Sequence, residues 1–318
     1  MTTYKEIRGT NIEAVASDPS NPVEGQVWYN TTTNVVKGLK INPGSWATVN
    51  SMNTARKSLS GVGIQTAALA FGGETPNGLT ESYNGTNWTE VNDLNTSVYR
   101  AAGCGTNTAA LSFGGSNFGA PASVAGTEKW NGTNWTEVND LNTARRGFAG
   151  AGTNTAGLGF GGGTPPATGA TEAYNGTNWT EVNDMNTGRI FLSGCGTQTA
   201  ALGFGGYPPP GALANTELWN GTNWTEVNDL NTARQRFAGA GTNTAALAFG
   251  GQPSFTAVTE TWNGTNWTEV GDLNTGRRYL AGAGTNTDGL AFGGDTSSLT
   301  AVTEEFTAGP ATITFDVS

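Results

Sequence analysis

The sequence contains no histidine, and this absence removes several classes of site at once. A Ser-His-Asp triad, a Cys-His pair and any histidine-bearing metal centre all need an imidazole. The chain has only two cysteines, too few for a disulfide framework or a four-thiolate zinc site. No cluster of acidic residues stands out from the rest. We therefore predict a protein with no catalytic residues, no metal and no cofactor.

Charge is also scarce, with 13% charged residues and a formal net charge of −10. A nucleic-acid-binding protein presents a basic surface, so we expect no nucleic-acid partner. No apolar run approaches the roughly 18–20 residues of a membrane span, so we expect no such span. The opening residues MTTYKEIRGTNIEAV lack an apolar core segment, so we predict no secretory signal peptide.

What the sequence does contain is an internal repeat with a period of about 44 residues, typical of stacked or circular supersecondary units. Phe-Gly-Gly begins 25 positions after each of six tryptophans, and Asn-Thr lies at +7 and +8. These register tryptophans, from which all offsets below are counted, are Trp46, Trp88, Trp135, Trp179, Trp224 and Trp267.

Each repeat reads as four short antiparallel strands. Before Phe-Gly-Gly, Leu and Phe alternate with small residues, which is the period-2 pattern of a strand. A Thr-Glu-x-aromatic strand follows, then an Asn-Gly-Thr-Asn turn suited to positive φ, then Trp-Thr-Glu-Val. The remaining strand follows position +10 and is the first of each unit, which makes Trp-Thr-Glu-Val the fourth. No segment has helical periodicity. Four strands in each of six units predict a β-propeller.

The repeat also resembles a known family. Gly-Gly, a variable gap, an aromatic residue five positions before the register tryptophan and a downstream arginine are similar to the kelch repeat, over residues 44–306. The resemblance implies an all-β, six-bladed propeller with four-stranded blades. The sixth blade lacks a tryptophan strand of its own, so residues 44–49, with Trp46, are expected to close it. A rival closing strand lies at 311–317, within the C-terminal strand predicted over 307–318.

Loop length varies only between the second and third strands, which predicts one diversified face. Exposed aromatic residues beside prolines in these loops make rigid contact surface, so Phe118, Tyr207 and Phe255 are candidate ligand contacts. The alternative explanation is that these loop sequences have drifted without selection for binding, because the fold tolerates changes there.

An arginine occurs at +10 in five repeats, and we expect these side chains near the mouth of the pore on that face. Arg145, Arg189 and Arg234 are therefore candidate contacts for an anionic group such as a sialic or uronic acid. A structural role in Asp–Arg or Arg–backbone contacts is the alternative, and calcium in the Asn-Asp loops is a third. Cys104 and Cys195, both at +16, are expected to be small buried packing residues.

Residues 1–43 lack the repeat and form a separate N-terminal arm, with 44–318 as the propeller domain. A small hairpin is predicted there, with a turn at 31–34. The stretch DPSNPVEGQVWYNTTTNVVKG resembles a segment of virion proteins of tailed phages, especially tail-fibre and other tail-associated proteins of marine phages. A generic hairpin that caps the propeller is the alternative.

Together these features predict a non-enzymatic virion structural protein, made in the host cytoplasm, in which residues 1–43 attach to other virion proteins. Its diversified face would bind a host surface ligand, with a glycan favoured, or another virion protein. A homo-oligomer in the particle is expected. The alternative is a pure assembly element, such as a capsid decoration or filament subunit, with no host ligand. An enzyme is disfavoured, although some kelch-like propellers are oxidases or mutarotases.

Overall fold

The structure, a computed structural model, describes residues 12–74, 78–117, 120–164 and 166–315. Every regular element in these ranges is a β-strand, which confirms the all-β prediction. No helix in these ranges is both long enough and apolar enough to cross a membrane.

Most strands have three to five residues, and two are much longer. In chain order they are β1 (Glu13–Val15), β2 (Val27–Asn30), β3 (Val35–Val49), β4 (Ser60–Ile64), β5 (Ala67–Phe71), β6 (Thr80–Tyr83), β7 (Trp88–Val91), β8 (Val98–Tyr99), β9 (Ala102–Thr106), β10 (Ala109–Phe113), β11 (Ser116–Asn117), β12 (Ala120–Ser123), β13 (Thr127–Trp130), β14 (Trp135–Val138), β15 (Ala149–Gly152), β16 (Gly157–Phe160), β17 (Thr171–Tyr174), β18 (Trp179–Val182), β19 (Ser193–Thr197), β20 (Ala200–Phe204), β21 (Thr216–Trp219), β22 (Trp224–Val227), β23 (Ala238–Gly241), β24 (Ala246–Phe249), β25 (Thr259–Trp262), β26 (Trp267–Glu269), β27 (Ala281–Gly284), β28 (Asp288–Phe292) and β29 (Thr303–Phe315).

The chain divides into two compact units. The smaller contains residues 12–44 and 308–315 of the described chain, and the larger contains 45–307. In the smaller unit the strand order is β1-β2-β3-β29. β2 pairs antiparallel with β3, Val27 opposite Gly38 and Asn30 opposite Val35, which is the hairpin that the sequence predicts.

One carboxylate ties this hairpin together. Asp18 accepts hydrogen bonds from Trp28 Nε1 (3.0 Å), Asn30 Nδ2 (2.7 Å) and Lys37 Nζ (2.8 Å). These donors hold the pKa of Asp18 at about 2, below its usual 3.8, with the Lys37 bond as the largest cause. Residues 18–37 therefore form one hydrogen-bonded structure.

The larger unit contains five four-stranded antiparallel sheets, in agreement with the predicted strands of a repeat. We number them by repeat: sheet 1 is β4-β5-β6-β7, sheet 2 is β9-β10-β13-β14, sheet 3 is β15-β16-β17-β18, sheet 4 is β19-β20-β21-β22 and sheet 5 is β23-β24-β25-β26. The longest loop, in repeat 2, adds a further three-stranded sheet, β12-β11-β8.

A sixth group of strands, sheet 6, has the order β3-β29-β28-β27, to which β3 contributes residues 45–49 and β29 residues 303–307. The Trp46 ring lies 5.1 Å from that of Phe306, as other register tryptophans lie beside the aromatic residue of their third strand. The strand predicted separately at 311–317 is, as far as Phe315, the continuation of β29, because no turn interrupts it.

The sheets pack through large side chains placed against glycine. Leu and Phe of each second strand are buried, with Phe160 and Phe292 at 0% exposure. A methyl group added at Gly194 would lie 2.4 Å from Phe160 Cζ in the preceding sheet, and one at Gly61 would lie 2.4 Å from Phe292 Cζ. Only glycine permits this approach. First strands of consecutive sheets are neighbours throughout, and β27 of sheet 6 packs against β4 of sheet 1.

Each register tryptophan also bonds to the preceding sheet. Its indole N–H donates to the hydroxyl of the threonine that begins that sheet's third strand. Trp46 follows the same rule and donates to Thr259 at 3.0 Å, while Trp88 donates to Thr303 at 3.0 Å. These bonds satisfy indole donors that would otherwise be buried without a partner.

Candidate functional site

Six residues at position +12, one from each repeat, form a closed circuit of backbone hydrogen bonds. We call them the hub residues. The N–H of each donates to the carbonyl oxygen of the hub residue before it, and the first donates to the last. The bonds are Arg100 N to Ser58 O (2.8 Å), Gly147 N to Arg100 O (2.9 Å), Phe191 N to Gly147 O (2.6 Å), Arg236 N to Phe191 O (3.0 Å), Tyr279 N to Arg236 O (2.7 Å) and Ser58 N to Tyr279 O (2.9 Å).

All six hub residues have left-handed backbone conformations, with φ between 56° and 62°. Glycine adopts this conformation at no steric cost, but only Gly147 is a glycine. For the others the conformation costs on the order of 1–2 kcal/mol each. Strain of this kind concentrates at functional sites, where the surrounding structure enforces it.

The hub lies within the most variable surface of an otherwise uniform scaffold. Position +11 makes a β-bridge to position +28, just after Phe-Gly-Gly, as in Ile190–Tyr207 and Arg278–Asp295. This bridge joins the start of the 2–3 loop to the connection before the first strand, as the sequence predicts. We call the residues at +11, +12 and +28 the hub face. In order of repeat they are Lys57, Ser58, Glu74; Tyr99, Arg100, Ser116; Arg146, Gly147, Gly163; Ile190, Phe191, Tyr207; Gln235, Arg236, Gln252; and Arg278, Tyr279, Asp295.

Four hub side chains from four different repeats meet in one cluster. The guanidinium of Arg236 lies 4.7 Å from the ring centre of Phe191 and 4.9 Å from that of Tyr279. The guanidinium of Arg100 lies 5.4 and 5.5 Å from the same two rings. Phe191 and Tyr279 meet edge to face at 6.0 Å. Such contacts hold the two cations in place. Arg236 Nη1 also donates to Gln252 Oε1 at 2.8 Å, and Arg100 Nη2 lies 3.5 Å from Glu74 Oε1.

The hub face carries most of the basic residues of the repeat region that are not at +10. Residues 44–306 contain eleven lysines and arginines: five at +10, five on the hub face and Lys129. The hub face has only two carboxylates, Glu74 and Asp295. Burial lowers the pKa of Arg236, Tyr279 opposes this, and nearby Arg100 and Arg278 lower it further. An anion bound here would relieve repulsion among these cations.

Below the hub residues lies a depression of about 170 Å³, lined by positions +12 to +15 of every repeat. A second depression, of about 120 Å³, is lined by glycines at +15 and +17 together with small side chains at +16. Large and charged groups therefore occur only at the hub end among these lining residues.

The +10 arginines are not on this surface, and the prediction that Arg145, Arg189 and Arg234 contact a ligand is wrong. All three have 0% exposure. Each pairs with the glutamate of its own third strand: Arg145 with Glu172 (3.1 Å), Arg189 with Glu217 (2.6 Å) and Arg234 with Glu260 (2.6 Å).

The same glutamate explains the repeated Asn-Thr. Glu217 Oε2 accepts from both nitrogens of Asn186, and its Oε1 accepts from Thr187 N and Arg189. The aspartate at +5 has a separate structural role, since Asp184 accepts from Thr171 N at the start of a third strand. The +10 arginines therefore have the structural role given as the alternative, but their partner is glutamate rather than aspartate.

The aromatic candidates have different outcomes. Tyr207 belongs to the hub face and is half-buried. Phe255 is half-buried beneath the guanidinium of Arg278, 4.7 Å from its ring centre. Phe118 lies outside the described residues. Sequence reasoning did not select Arg100, Phe191, Arg236 and Tyr279 as candidate contacts, although one signal was available: +11 and +12 differ from repeat to repeat.

Cys104 and Cys195 are buried free thiols, as the sequence predicts. Burial raises the pKa of each to about 12. Within the described ranges no three Cys, Asp or Glu side chains form a group that could hold a metal ion.

No protein-family model matches the chain, and it has no significant match among curated proteins.

Proposed function

We propose that the larger unit is a six-bladed, kelch-like β-propeller whose hub face binds an anionic ligand, and that the protein is a non-enzymatic phage virion component. Three features link the last repeat back to the first and support a six-bladed ring. They are the hub circuit, the tryptophan–threonine bonds and the packing of β27 against β4. In this architecture sheet 6 is the last blade, closed by the Trp46 strand.

One observation carries the binding function: residues that differ between near-identical repeats meet at one strained, basic surface. Arg100 and Arg236 offer planar, multi-donor groups suited to carboxylate or phosphate. Phe191 and Tyr279 offer aromatic surface of the kind that stacks on sugar rings. An acidic glycan on a host surface, with a sialic or uronic acid, matches both, and many copies on one particle would bind through avidity.

Attachment to the particle is assigned in this proposal to residues 1–43. The resemblance to virion proteins lies there, and the described part of the segment exposes Val23 (67%), Ile12 (39%) and Ile41 (38%). Apolar side chains exposed in a small unit suit contact with another protein.

The experiment is binding of the fluorescently labelled protein to intact candidate host cells, alone and displayed on beads. The hub variant carries Arg100→Gly, Phe191→Gly, Arg236→Gly and Tyr279→Gly, since Gly147 shows that glycine fits this position. The matched control leaves the hub intact and replaces the loop tips at 208–211 and 253–255 by Gly-Ser.

Saturable binding that is lost in the hub variant and kept in the control is the expected result. Loss only in the loop control would move recognition to the loops. No binding by any protein, together with self-association of the wild type at high concentration, would overturn the proposal in favour of the assembly element.

A further inference from the structure

Repeat 2 departs from the other five at a buried position. Where they have an arginine at +10, it has Val98. Its glutamate, Glu128, is retained and only 6% exposed. Asn95 N and Nδ2 and Thr96 N still donate to it at 2.8–2.9 Å. The Glu128 carboxylate thus keeps the Asn and Thr donors that its counterparts have in the other repeats. None of the ion pairs among the described residues includes it.

The missing guanidinium leaves space. A cavity of about 470 Å³ lies beside Glu128, with Val98, Val124 and Val138 among its lining residues. Asn117 Oδ1, on the same lining, is buried without a hydrogen-bond partner. The exposed side chains of Glu137 and Asp140 also line the cavity, so it reaches the surface at an acidic edge. A buried carboxylate and an orphaned acceptor beside an open cavity are both costly unless a donor completes them.

The other repeats indicate which donor fits. Beyond the ion pair, Arg189 Nη2 donates to Gly203 O (3.2 Å) and Arg56 Nη2 to Ala70 O (3.3 Å), both at +24. Ser112 stands at +24 in repeat 2 and lines the cavity. A group that replaces the missing side chain therefore meets the same carboxylate and a carbonyl at the equivalent position. A guanidinium matches this arrangement because its planar fork reaches both at once.

We propose that this cavity is a binding site for a guanidinium group supplied from outside the chain, such as an arginine side chain of a partner protein. The cation would pair with Glu128, Asn117 Oδ1 would accept a further N–H, and the three valines would pack against the aliphatic stem. The proposal is independent of the hub face and of its anionic ligand.

Ethylguanidinium is the probe, at constant ionic strength, with ethylurea as the neutral control and ethylammonium as a cation without the fork. The readout is the thermal unfolding midpoint. Wild type is expected to show a saturable rise of about 2–4 °C with ethylguanidinium beyond that of either control. The variant Val98→Arg, which supplies the chain's own guanidinium, is expected to show none.

Two further variants keep the test decisive if Val98→Arg does not fold. Glu128→Gln keeps the shape of the side chain and should weaken the response at least tenfold. Arg189→Val recreates the cavity beside Glu217, and ethylguanidinium should raise its midpoint by more than it raises that of wild type. A blocked Gly-Gly-Arg-Gly-Gly peptide distinguishes the two sources of the guanidinium. If it raises the midpoint at lower concentration than ethylguanidinium, the ligand is an arginine of a protein partner. If it needs a higher concentration, the ligand is a small free guanidinium compound. Equal midpoint changes in wild type and Glu128→Gln would overturn the proposal.

Discussion

The N–H of Ser58, just before the first strand of sheet 1, donates to the carbonyl oxygen of Tyr279, just before the first strand of sheet 6, at 2.9 Å. This bond joins the first and last repeats through the same atoms that join every consecutive pair. The hub circuit thereby holds five different residue types at six equivalent positions.

Arg234 and Arg236 lie two positions apart, and the same substitution should destabilise the protein strongly at the first and little at the second. Arg234→Gly leaves Glu260 buried without its cation, so we expect a loss of about 3–5 kcal/mol in the free energy of unfolding. Arg236→Gly removes contacts with two rings but relieves left-handed strain, so its change should stay within about 1 kcal/mol. Urea unfolding of both variants measures this, and equal losses would contradict the assignment of the two residues.

Trp46 should matter as much as an internal register tryptophan. It is 6% exposed and donates to Thr259 as Trp179 does to Thr127. We expect Trp46→Ala and Trp179→Ala each to cost about 3–5 kcal/mol. Chemical unfolding compares them directly. A cost below about 1 kcal/mol for Trp46→Ala alone would show that the Trp46 strand does not close sheet 6.

Gly194 should not tolerate even one methyl group. The added carbon would lie 2.4 Å from Phe160 Cζ, on a ring packed in the core between sheets 3 and 4. We expect Gly194→Ala to destabilise the protein by about 1–3 kcal/mol through overpacking. Gly211→Ala is the matched control, because nothing lies within 4 Å of a methyl group there. Similar unfolding midpoints for the two variants would refute this packing.

The two thiols should make stability fall in alkaline solution. Burial raises the pKa of Cys104 and Cys195 from 9.0 to about 12. Between these values the unfolded chain loses thiol protons that the folded chain keeps, so unfolding is favoured as pH rises through that window. The double variant Cys104→Ala/Cys195→Ala, with the alanine that repeats 3, 5 and 6 have at +16, should decline less steeply. Parallel unfolding curves from pH 9 to 11 for the two proteins would contradict the shifts.

Much of the fold follows from the sequence because its marks recur. Period-2 alternation before Phe-Gly-Gly predicted the second strands, and the aromatic pair around Asn-Gly-Thr-Asn predicted the third and fourth. The extra sheet β12-β11-β8 could not be predicted, because its loop is longer than those of the other repeats and its additional residues have no counterpart there. A C-terminal strand was predicted over 307–318, but its continuity with the third strand of the last repeat in β29 was not, since the repeat ends at Phe306.

The site was harder to predict because the sequence does not show whether a charged side chain is buried or exposed. The arginine at +10 was expected at the surface, yet Arg189 is buried and pairs with Glu217 in the third strand of sheet 4. The real cluster combines Arg100, Phe191, Arg236 and Tyr279, which only the backbone circuit brings together. Variability at +12 was visible in the sequence, but its meaning depends on knowing that all six positions meet.

Binding of acidic oligosaccharides tests the central claim most directly. Isothermal titration should compare carboxylate-bearing oligosaccharides with neutral ones of equal length, using wild type and the variant Arg100→Gly/Arg236→Gly. The account predicts binding of an acidic member that weakens at higher salt and at least tenfold in the variant. Binding of equal strength by both proteins, or preference for the neutral sugars, would contradict an anion-binding hub.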